Sequence, residues 1–231
     1  MIPVLNERAC LPATLAALEN ANWVHEVIVV DGGSTDGTRE WLAGQALARV
    51  VDSPAGKGRQ LNAGAKVATG DVLLFLHGDC LAPREAGPQM RKALEARVAG
   101  GCFCVQFPDA RPLSLRLVAA GMNLRARLTH TATGDQAIFV RREVFERAGG
   151  FPDWPLFEDV ELVRRAKQLG EFAVVPARVT LSPRRHLRGG VLRTVFLVYA
   201  LRLGFWAGLS PSLLKRWFAD VRPHLRSQIQ E

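Results

Sequence analysis

Residues 26–38 have the sequence EVIVVDGGSTDGT, a branched apolar run that ends in Asp31 and a glycine-rich turn. Such a run predicts a buried β-strand followed by the start of a helix. The same alternation recurs on both sides of it. Apolar runs occupy residues 2–5, 49–52 and 72–76, and helical patterns occupy residues 11–19 and 59–68. Regular alternation of this kind is typical of an α/β protein whose mostly parallel central sheet is flanked by helices.

The second half of the chain is less regular. Its strand-like patterns lie at residues 101–107 and 136–141, and its helical patterns at residues 112–127 and 158–169. Two apolar runs, residues 172–175 and 179–181, predict a closing pair of short strands. After residue 185 the sequence becomes rich in arginine and aromatic residues. We therefore expect one α/β domain at residues 1–185 and a helical extension at residues 186–231.

The composition restricts the class of protein. With 231 residues, 48% of them hydrophobic, the chain can build one sizeable core. Its net charge of +8 favours anionic partners, but no nucleic-acid recognition motif accompanies the charge, so we expect no nucleic-acid partner. Four cysteines without a C-x-x-C pair, and a start without the pattern of a signal peptide, predict a reduced cytoplasmic protein.

Acidic side chains follow the predicted strands. They are Glu7, Asp31, Asp52 and Asp79. Because ligands of open α/β sheets bind beyond the carboxyl ends of the strands, we expect these acids to converge on one crevice.

Two glycine-containing loops are candidates for nucleotide binding. Asp31 can accept hydrogen bonds from a base or ribose, and Gly32 allows close approach of the backbone, although an ordinary strand-to-helix turn would look the same. Lys57 and Arg59 lie in a glycine-rich loop before a helix and are candidates for contacts to phosphate or base. This loop matches neither the dinucleotide fingerprint nor the Walker A pattern, which argues against NAD enzymes and P-loop NTPases.

Two further motifs carry acids suited to catalysis. His77 and Asp79 follow a buried strand and offer an imidazole and a carboxylate to Mg²⁺ or Mn²⁺, which bind few protein ligands together with substrate phosphates. Glu158 and Asp159 open a predicted helix, whose dipole favours their ionised form, so either is a candidate general base. Capping of a turn or a helix is the alternative explanation in both motifs.

Four segments, taken in order, resemble family 2 glycosyltransferases with the GT-A fold. They are IPVLNE (2–7), EVIVVDGGSTDGT (26–38), HGD (77–79) and FEDVEL (157–162). The resemblance covers residues 1–185. A narrower likeness is to a small bacterial branch labelled arsenosugar-biosynthesis glycosyltransferases. It rests on RQLNAG (59–64), GDQAIFV (134–140) and SPRR (182–185).

The resemblance implies a role for individual residues on the donor side. Positions equivalent to Pro3, Leu5, Glu7 and Asp31 hold the nucleoside in the family, and Arg59 matches an arginine that contacts base or phosphate. The implied reaction is transfer of a sugar, with inversion, from a nucleotide diphosphate to a hydroxyl acceptor.

The resemblance also implies the metal, base and acceptor sides. Asp79 matches the metal ligand of the D-x-D element, Asp159 matches the general base, and Asp135 with Gln136 matches the acceptor side. His77 departs from the family because it replaces the first acid of D-x-D, so it either faces the ribose or joins the metal. The chain also begins inside the expected first strand, which predicts a frayed strand.

Basic residues at and after position 184 form the last group of candidates for ligand binding. Arg184 and Arg185 can close over the diphosphate as a bidentate clamp. The helices beyond are compatible with peripheral contact to the inner face of the membrane and a lipid-linked acceptor, or with a packed cap at a homodimer interface. Two rival functions remain open, a sugar-phosphate nucleotidyltransferase and a catalytically inactive membrane-surface binding protein.

Overall fold

The computed structural model describes residues 1–19, 21–108 and 113–220, without the side chains of residues 185, 188, 189 and 218–220. The strands are β1 (Ile2–Val4), β2 (Val27–Asp31), β3 (Ala48–Asp52), β4 (Val72–Phe75), β5 (Cys80–Leu81), β6 (Gly100–Gln106), β7 (Ile138–Arg141) and β8 (Phe172–Leu181). The helices are α1 (Leu11–Glu19), α2 (Thr38–Leu42), α3 (Lys57–Val67), α4 (Ala86–Glu95), α5 (Leu113–Thr129), α6 (Arg142–Arg147), α7 (Glu158–Lys167), α8 (Arg184–Gly189), α9 (Val191–Trp206) and α10 (Pro211–Asp220), with one 3₁₀ turn at Gly134–Gln136.

The first half of the sheet is parallel, as the alternation of strands and helices predicts. β1 pairs with β2 and β2 pairs with β3, all in parallel. The Met1 amine donates to the Leu74 carbonyl at 2.6 Å and the Leu76 amide donates to the Met1 carbonyl at 3.0 Å, which joins β1 to the end of β4. β1 is therefore held on both sides, and its Ile2 and Val4 side chains are buried rather than frayed.

The second half of the sheet mixes strand directions, in the order β4-β7-β6-β8-β5. Only β6 and β8 are parallel there. The predicted pair of short strands at residues 172–181 is wrong, because β8 is one strand with a bulge. Its pairing with β6 moves from Phe103–Val175 to Cys104–Arg178, and Pro176, which has no amide proton to donate, lies in the bulge.

Hydrophobic clusters cover both faces of the sheet. Successive strand residues alternate between them, so Phe103 and Phe139 belong to one cluster and Cys102 and Val140 to the other. With both faces packed, the edge at which the parallel strands end is the place for polar chemistry.

The helical extension packs onto the domain. α8 begins at Arg184 and so crosses the predicted domain boundary, while α9 contacts both α5 and α10. The Phe205 ring of α9 stacks on Phe157 at 4.7 Å and meets Trp154 edge-on at 6.1 Å. Among the described helices, none has the length and hydropathy required to cross a bilayer. Residues 221–231 of the predicted extension lie outside the described part of the chain.

Candidate active site

The loop after β1 is bound to the loop after β2. Asn6 has a positive φ of 58° and makes two hydrogen bonds to that second loop. Its backbone amide donates to Ser34 Oγ at 3.0 Å, and its side-chain Oδ1 accepts from the Thr35 amide at 2.7 Å. The Glu7 amide donates to Thr38 Oγ1 at 3.1 Å. These bonds fix the two loops as one wall, and Asn6 is a member of it that the sequence analysis did not single out.

Asp31 is fully buried and organises the glycine-rich turn. Its carboxylate accepts hydrogen bonds from the amides of Gly33 at 3.2 Å and Ser34 at 3.1 Å. Arg39 approaches it at 4.0 Å and forms a two-point contact with Asp52, including an Nη2–Oδ2 distance of 2.8 Å. Asp31 and Asp52 therefore lie close together, as predicted, and Arg39 lies between their carboxylates.

Gln60 joins the ends of the first two strands. The buried side-chain amide donates from Nε2 to the carbonyls of Val4 and Val30, both at 2.8 Å. A Cβ on Gly32 would lie only 3.0 Å from that nitrogen. A side chain at position 32 would therefore have to displace the Gln60 amide, which is a reason for glycine here in addition to any contact with a ligand. The sequence feature that could have identified Gln60 is a polar residue on the buried face of α3.

The start of α3 is tied to the segment before α7. Arg59 makes two contacts of 2.7 Å with Asp153, and both side chains are at least half exposed. The Asn62 side chain brackets Phe151, donating to its carbonyl at 2.8 Å and accepting from its amide at 2.9 Å. The exposed Lys57 stands at the first position of this helix. Arg59 thus has a protein partner, and its contact with base or phosphate stays a prediction.

Arg184 bridges two of the predicted acids. Its Nη2 lies 3.0 Å from Glu7 Oε2 and 3.5 Å from Asp79 Oδ2. The loop after β1, the turn after β4 and the start of α8 therefore meet at one point. The side chain of Arg185, the other half of the predicted clamp, lies outside the described part of the structure.

His77, Gly134 and Asp159 form a continuous group. His77 Nδ1 is 3.2 Å from Asp135 Oδ1, and a Cβ on Gly134 would lie 2.5 Å from His77 Nε2. The Gly134 amide donates to Asp159 Oδ2 at 2.5 Å, and the Val160 amide donates to Asp159 Oδ1 at 2.7 Å. The HGD and FED motifs, 80 positions apart in the sequence, are therefore joined through one glycine.

The adjacent acids Glu158 and Asp159 differ in environment. Burial, followed by the neighbouring charge of Asp159, raises the pKa of Glu158 to about 7. Asp159 is partly exposed and accepts hydrogen bonds from the amides of Gly134 and Val160. Phe157, which precedes them at the start of α7, has a positive φ of 64°. Of the two, Asp159 is the more accessible to a ligand, and its role as general base stays a prediction.

The two predicted acceptor residues, Asp135 and Gln136, also differ in burial. Gln136 is fully buried, where its Oε1 accepts from Arg125 Nη2 at 2.7 Å and its Nε2 donates to the Phe103 carbonyl at 3.4 Å. The side chain of Asp135 is 34% exposed. Asp135 therefore stays a candidate for the acceptor side, whereas the buried Gln136 holds the turn in place through its hydrogen bonds.

The remaining predicted donor residues lie on β1 and just after it. Pro3 is partly buried within the strand, and Leu5 is 46% exposed at its end. Leu5 is therefore the more accessible of the two.

His77, Asp79 and Cys80 offer a set of metal ligands. One donor atom from each lies within 4.8 Å of the others, and no other group of three His, Cys, Asp or Glu residues within the described ranges does this. Of these three, the Asp79 carboxylate is the ligand type that suits Mg²⁺ and Mn²⁺. The residues fit the predicted cation. Cys80, buried beside Asp79, was not anticipated from the sequence.

The chain is similar to known proteins in sequence. The profile described as "Glycosyl transferase family 2" matches residues 1–148. Glycosyltransferase AglE of Haloferax volcanii is 27% identical over 185 residues, which is 74% of this chain and 61% of the relative. Undecaprenyl-phosphate 4-deoxy-4-formamido-L-arabinose transferase of Aeromonas hydrophila is 33% identical over 104 residues, 40% of this chain and 32% of the relative. The chain thus spans less than two thirds of each.

Solved structures share the architecture. The mannosyltransferase PcManGT from Pyrobaculum calidifontis, in complex with GDP-Man and Mn²⁺, is 26% identical with a TM-score of 0.60, over 78% of this chain and 55% of that one. S. aureus TarS 1–349 is 19% identical with a TM-score of 0.63, over 85% and 64%, a likeness that shows the fold alone. The predicted GT-A-like α/β fold is confirmed.

Proposed function

Because the chain belongs to glycosyl transferase family 2, we propose that it is an inverting glycosyltransferase that moves a sugar from a nucleotide diphosphate donor to a hydroxyl acceptor. One observation carries the proposal: the Asp159 carboxylate is held by the Gly134 amide directly beside His77, in the motif that also bears Asp79. A proton acceptor and a cation-binding motif thus share one site. The likeness to the bacterial branch labelled for arsenosugar biosynthesis extends the proposal without naming an acceptor.

The donor side is formed by the two joined loops. The turn organised by Asp31, the exposed Leu5 and the carboxylate of Glu7 are proposed to hold the nucleoside. Arg184, together with Arg185 and Lys57, is proposed to receive the diphosphate, because guanidinium groups match phosphate oxygens in charge and geometry. Arg184 would exchange its contacts with Glu7 and Asp79 for contacts to the donor.

The acceptor side is formed by Asp159 and Asp135. Asp159 is proposed to take the proton of the acceptor hydroxyl while that oxygen forms a bond to the anomeric carbon and the bond to the diphosphate breaks. A single displacement of this kind inverts the anomeric configuration. Its transition state has oxocarbenium character, as in other glycosyl transfers.

The cation would be held by Asp79 with His77, and Cys80 stands next to them. When bound, Mg²⁺ or Mn²⁺ supplies positive charge for the leaving diphosphate. The similar mannosyltransferase from Pyrobaculum calidifontis is described in complex with GDP-Man and Mn²⁺, which supports a divalent cation and a nucleotide-sugar donor here.

The acceptor is proposed to be lipid-linked. A relative from Aeromonas hydrophila is named for undecaprenyl phosphate, and helices α9 and α10 carry basic and aromatic residues beside the site. We accordingly propose that the protein works in the cytoplasm at the inner face of the membrane.

The proposal is tested by the products. The protein is incubated with UDP- and GDP-sugars, Mn²⁺ and a bacterial lipid extract, and free nucleoside diphosphate and the anomeric configuration of the product are measured. We expect nucleoside diphosphate and an inverted product, and Asp159→Asn should reduce the rate by about 10²- to 10⁴-fold with donor affinity retained.

Other products would identify the rival functions. Release of pyrophosphate from a nucleoside triphosphate and a sugar phosphate would establish a nucleotidyltransferase. Donor binding without any turnover in the presence of the lipid extract would favour an inactive binding protein, and a fully active Asp159→Asn would refute the assigned base.

A further inference from the structure

Helix α9 exposes an unbroken apolar stripe. Its members recur at steps of three and four residues and are between 51% and 82% exposed. They are Leu192, Phe196, Tyr199, Leu203 and Trp206. At about 100° per residue this spacing puts all five within roughly 80° of one another around the helix axis. The stripe faces away from the protein, which is the reverse of a helix that buries its apolar face.

The arginines of α9 do not interrupt this stripe. Arg202, which the sequence alone would count against an apolar face, is turned inward, where burial lowers its pKa and where it lies close enough to Asp159 to be affected by that charge. Arg193 is exposed at about 100° from Leu192, at the edge of the stripe. The inward turn of one arginine and the lateral position of the other leave the outer face apolar.

The neighbouring helix α5 repeats the pattern on the catalytic domain. Four leucines lie within about 60° on its outer face and are between 58% and 73% exposed. They are Leu113, Leu117, Leu124 and Leu128. The exposed Arg116 and Arg127 flank them on one side. Since α5 contacts α9, the two stripes lie on adjacent helices.

Charge identifies the occupant of this surface. Arg116 and Arg127 of α5 and Arg193 of α9 are exposed beside the stripes, and neither helix contains Asp or Glu. If two copies met through this surface, basic helices would face each other without counter-charges. An anionic bilayer supplies both the apolar interior for the leucine and aromatic side chains and the negative headgroups for the arginines.

From these observations we infer that the outer faces of α5 and α9 form a docking surface for an anionic lipid bilayer, with Trp206 among the residues at the headgroup level. The inference rests on the proposed function in one respect: it names the partner that would present a lipid-linked acceptor to Asp159. The contact of Phe205 with Phe157, on the same helix as the stripe, sets the membrane surface next to the catalytic helix.

Vesicle sedimentation tests the inference without donor or acceptor. The full chain is mixed with vesicles of phosphatidylcholine alone or of phosphatidylcholine and phosphatidylglycerol in equal parts. We expect binding to the mixed vesicles that weakens as salt is added. The double variant Phe196→Ser/Leu203→Ser should lower the partition coefficient at least roughly tenfold, because two exposed apolar side chains no longer enter the bilayer.

Leu47→Ser is the matched control, since Leu47 is an exposed leucine far along the chain, between α2 and β3. It should bind vesicles like the unmodified chain. Circular dichroism and size-exclusion chromatography accompany all samples. No binding to either vesicle, unchanged binding of the double variant, or a dimer that the double variant converts to monomer would each overturn the inference.

Failure of the proposed function gives a different pattern. Titration with UDP and GDP on the same samples reports on the donor site, which the double variant does not touch. Loss of nucleotide binding with intact vesicle binding would contradict the glycosyltransferase proposal and leave the docking surface standing.

Discussion

Gly134 is the residue at which the two halves of the proposed site meet. Its amide holds Asp159, and its missing side chain leaves room for His77. Gly134→Ala should place a methyl group 2.5 Å from His77 Nε2, so the imidazole must move. We expect kcat/KM for sugar transfer to fall about a hundredfold, as displacements of this size commonly cause.

Gly121→Ala provides the control for this substitution. Gly121 lies in α5 with no atom within 4 Å of its virtual Cβ, so alanine there should leave activity unchanged and slightly stabilise the helix. Equal activity of Gly134→Ala and the unmodified chain would show that His77 and Asp159 need not be positioned through this glycine.

Glu158 should make stability depend on pH near neutrality. Burial raises its pKa to about 7 in the folded protein, above its ordinary value of 4.5. The folded state therefore binds the proton more tightly, so this contribution to stability is complete below about pH 4.5 and is lost as the pH rises through 7. Glu158→Gln should remove that dependence and raise the free energy of unfolding at pH 8 by about 1 to 3 kcal/mol.

Urea unfolding at pH 5 and pH 8 measures the effect, with Glu146→Gln as a control on the exposed surface of α6. A variant at position 158 that keeps the full pH dependence would mean that Glu158 is ionised in the folded protein at neutral pH.

At the residue scale the sequence predicted which acids belong together but not how they are connected. Glu7 and Asp79 meet, as the strand-end argument requires, yet only the fold reveals that Arg184 joins them across 177 and 105 positions. Gln136 fell inside a matched motif and could not be distinguished from the exposed Asp135, because burial depends on packing against distant strands.

At the element scale, Gln60 links α3 to the ends of β1 and β2. Gln60→Ala removes two hydrogen bonds and leaves the carbonyls of Val4 and Val30 without that donor. We expect the free energy of unfolding to fall by about 1 to 3 kcal/mol, with weaker nucleotide binding because the loops beyond both strands loosen. Chemical denaturation and nucleotide titration measure the two effects.

The exposed Gln168 at the end of α7 is the comparison for this change. Its replacement by alanine should alter stability by no more than about 0.5 kcal/mol. If Gln60→Ala were equally mild, the strand ends would be held by the ladder alone.

The strands and helices predicted for residues 2–76 agree with the structure within two residues because their apolar runs and helical patterns are local, whereas α4 was not predicted. β8 could not be predicted as one strand, since Pro176 interrupts the pattern and only the parallel partner β6 shows that the strand continues past the bulge. Short elements such as α6 and β5 carry too few residues for a periodic signal, and their boundaries are set by tertiary pairing.

At the scale of the whole molecule, helix α9 of the C-terminal extension packs against the proposed active site. Phe205 of α9 contacts Trp154 and Phe157, the residues that lead into Glu158 and Asp159. Phe205→Ala should therefore speed hydrogen exchange of the amides at residues 154–161 by about tenfold or more, because the segment loses its outer support.

Trp206→Ala, which removes an exposed ring from the next position on the helix, should leave that exchange unchanged. Equal exchange in all three proteins would show that α9 rests on the domain without restraining the catalytic segment. The sequence predicted a basic helical extension, but the apolar repeat of α9 lies on its exposed face, so it did not indicate which face meets the domain.

The central claim is tested most directly by calorimetric titration of the protein with UDP and with GDP, in Mn²⁺ and in EDTA, repeated on Asp79→Ala. We expect binding of at least one nucleoside diphosphate that depends on the cation and is lost in the variant. Absence of binding by both nucleotides to the folded protein would contradict the claim that this site holds a nucleotide-sugar donor.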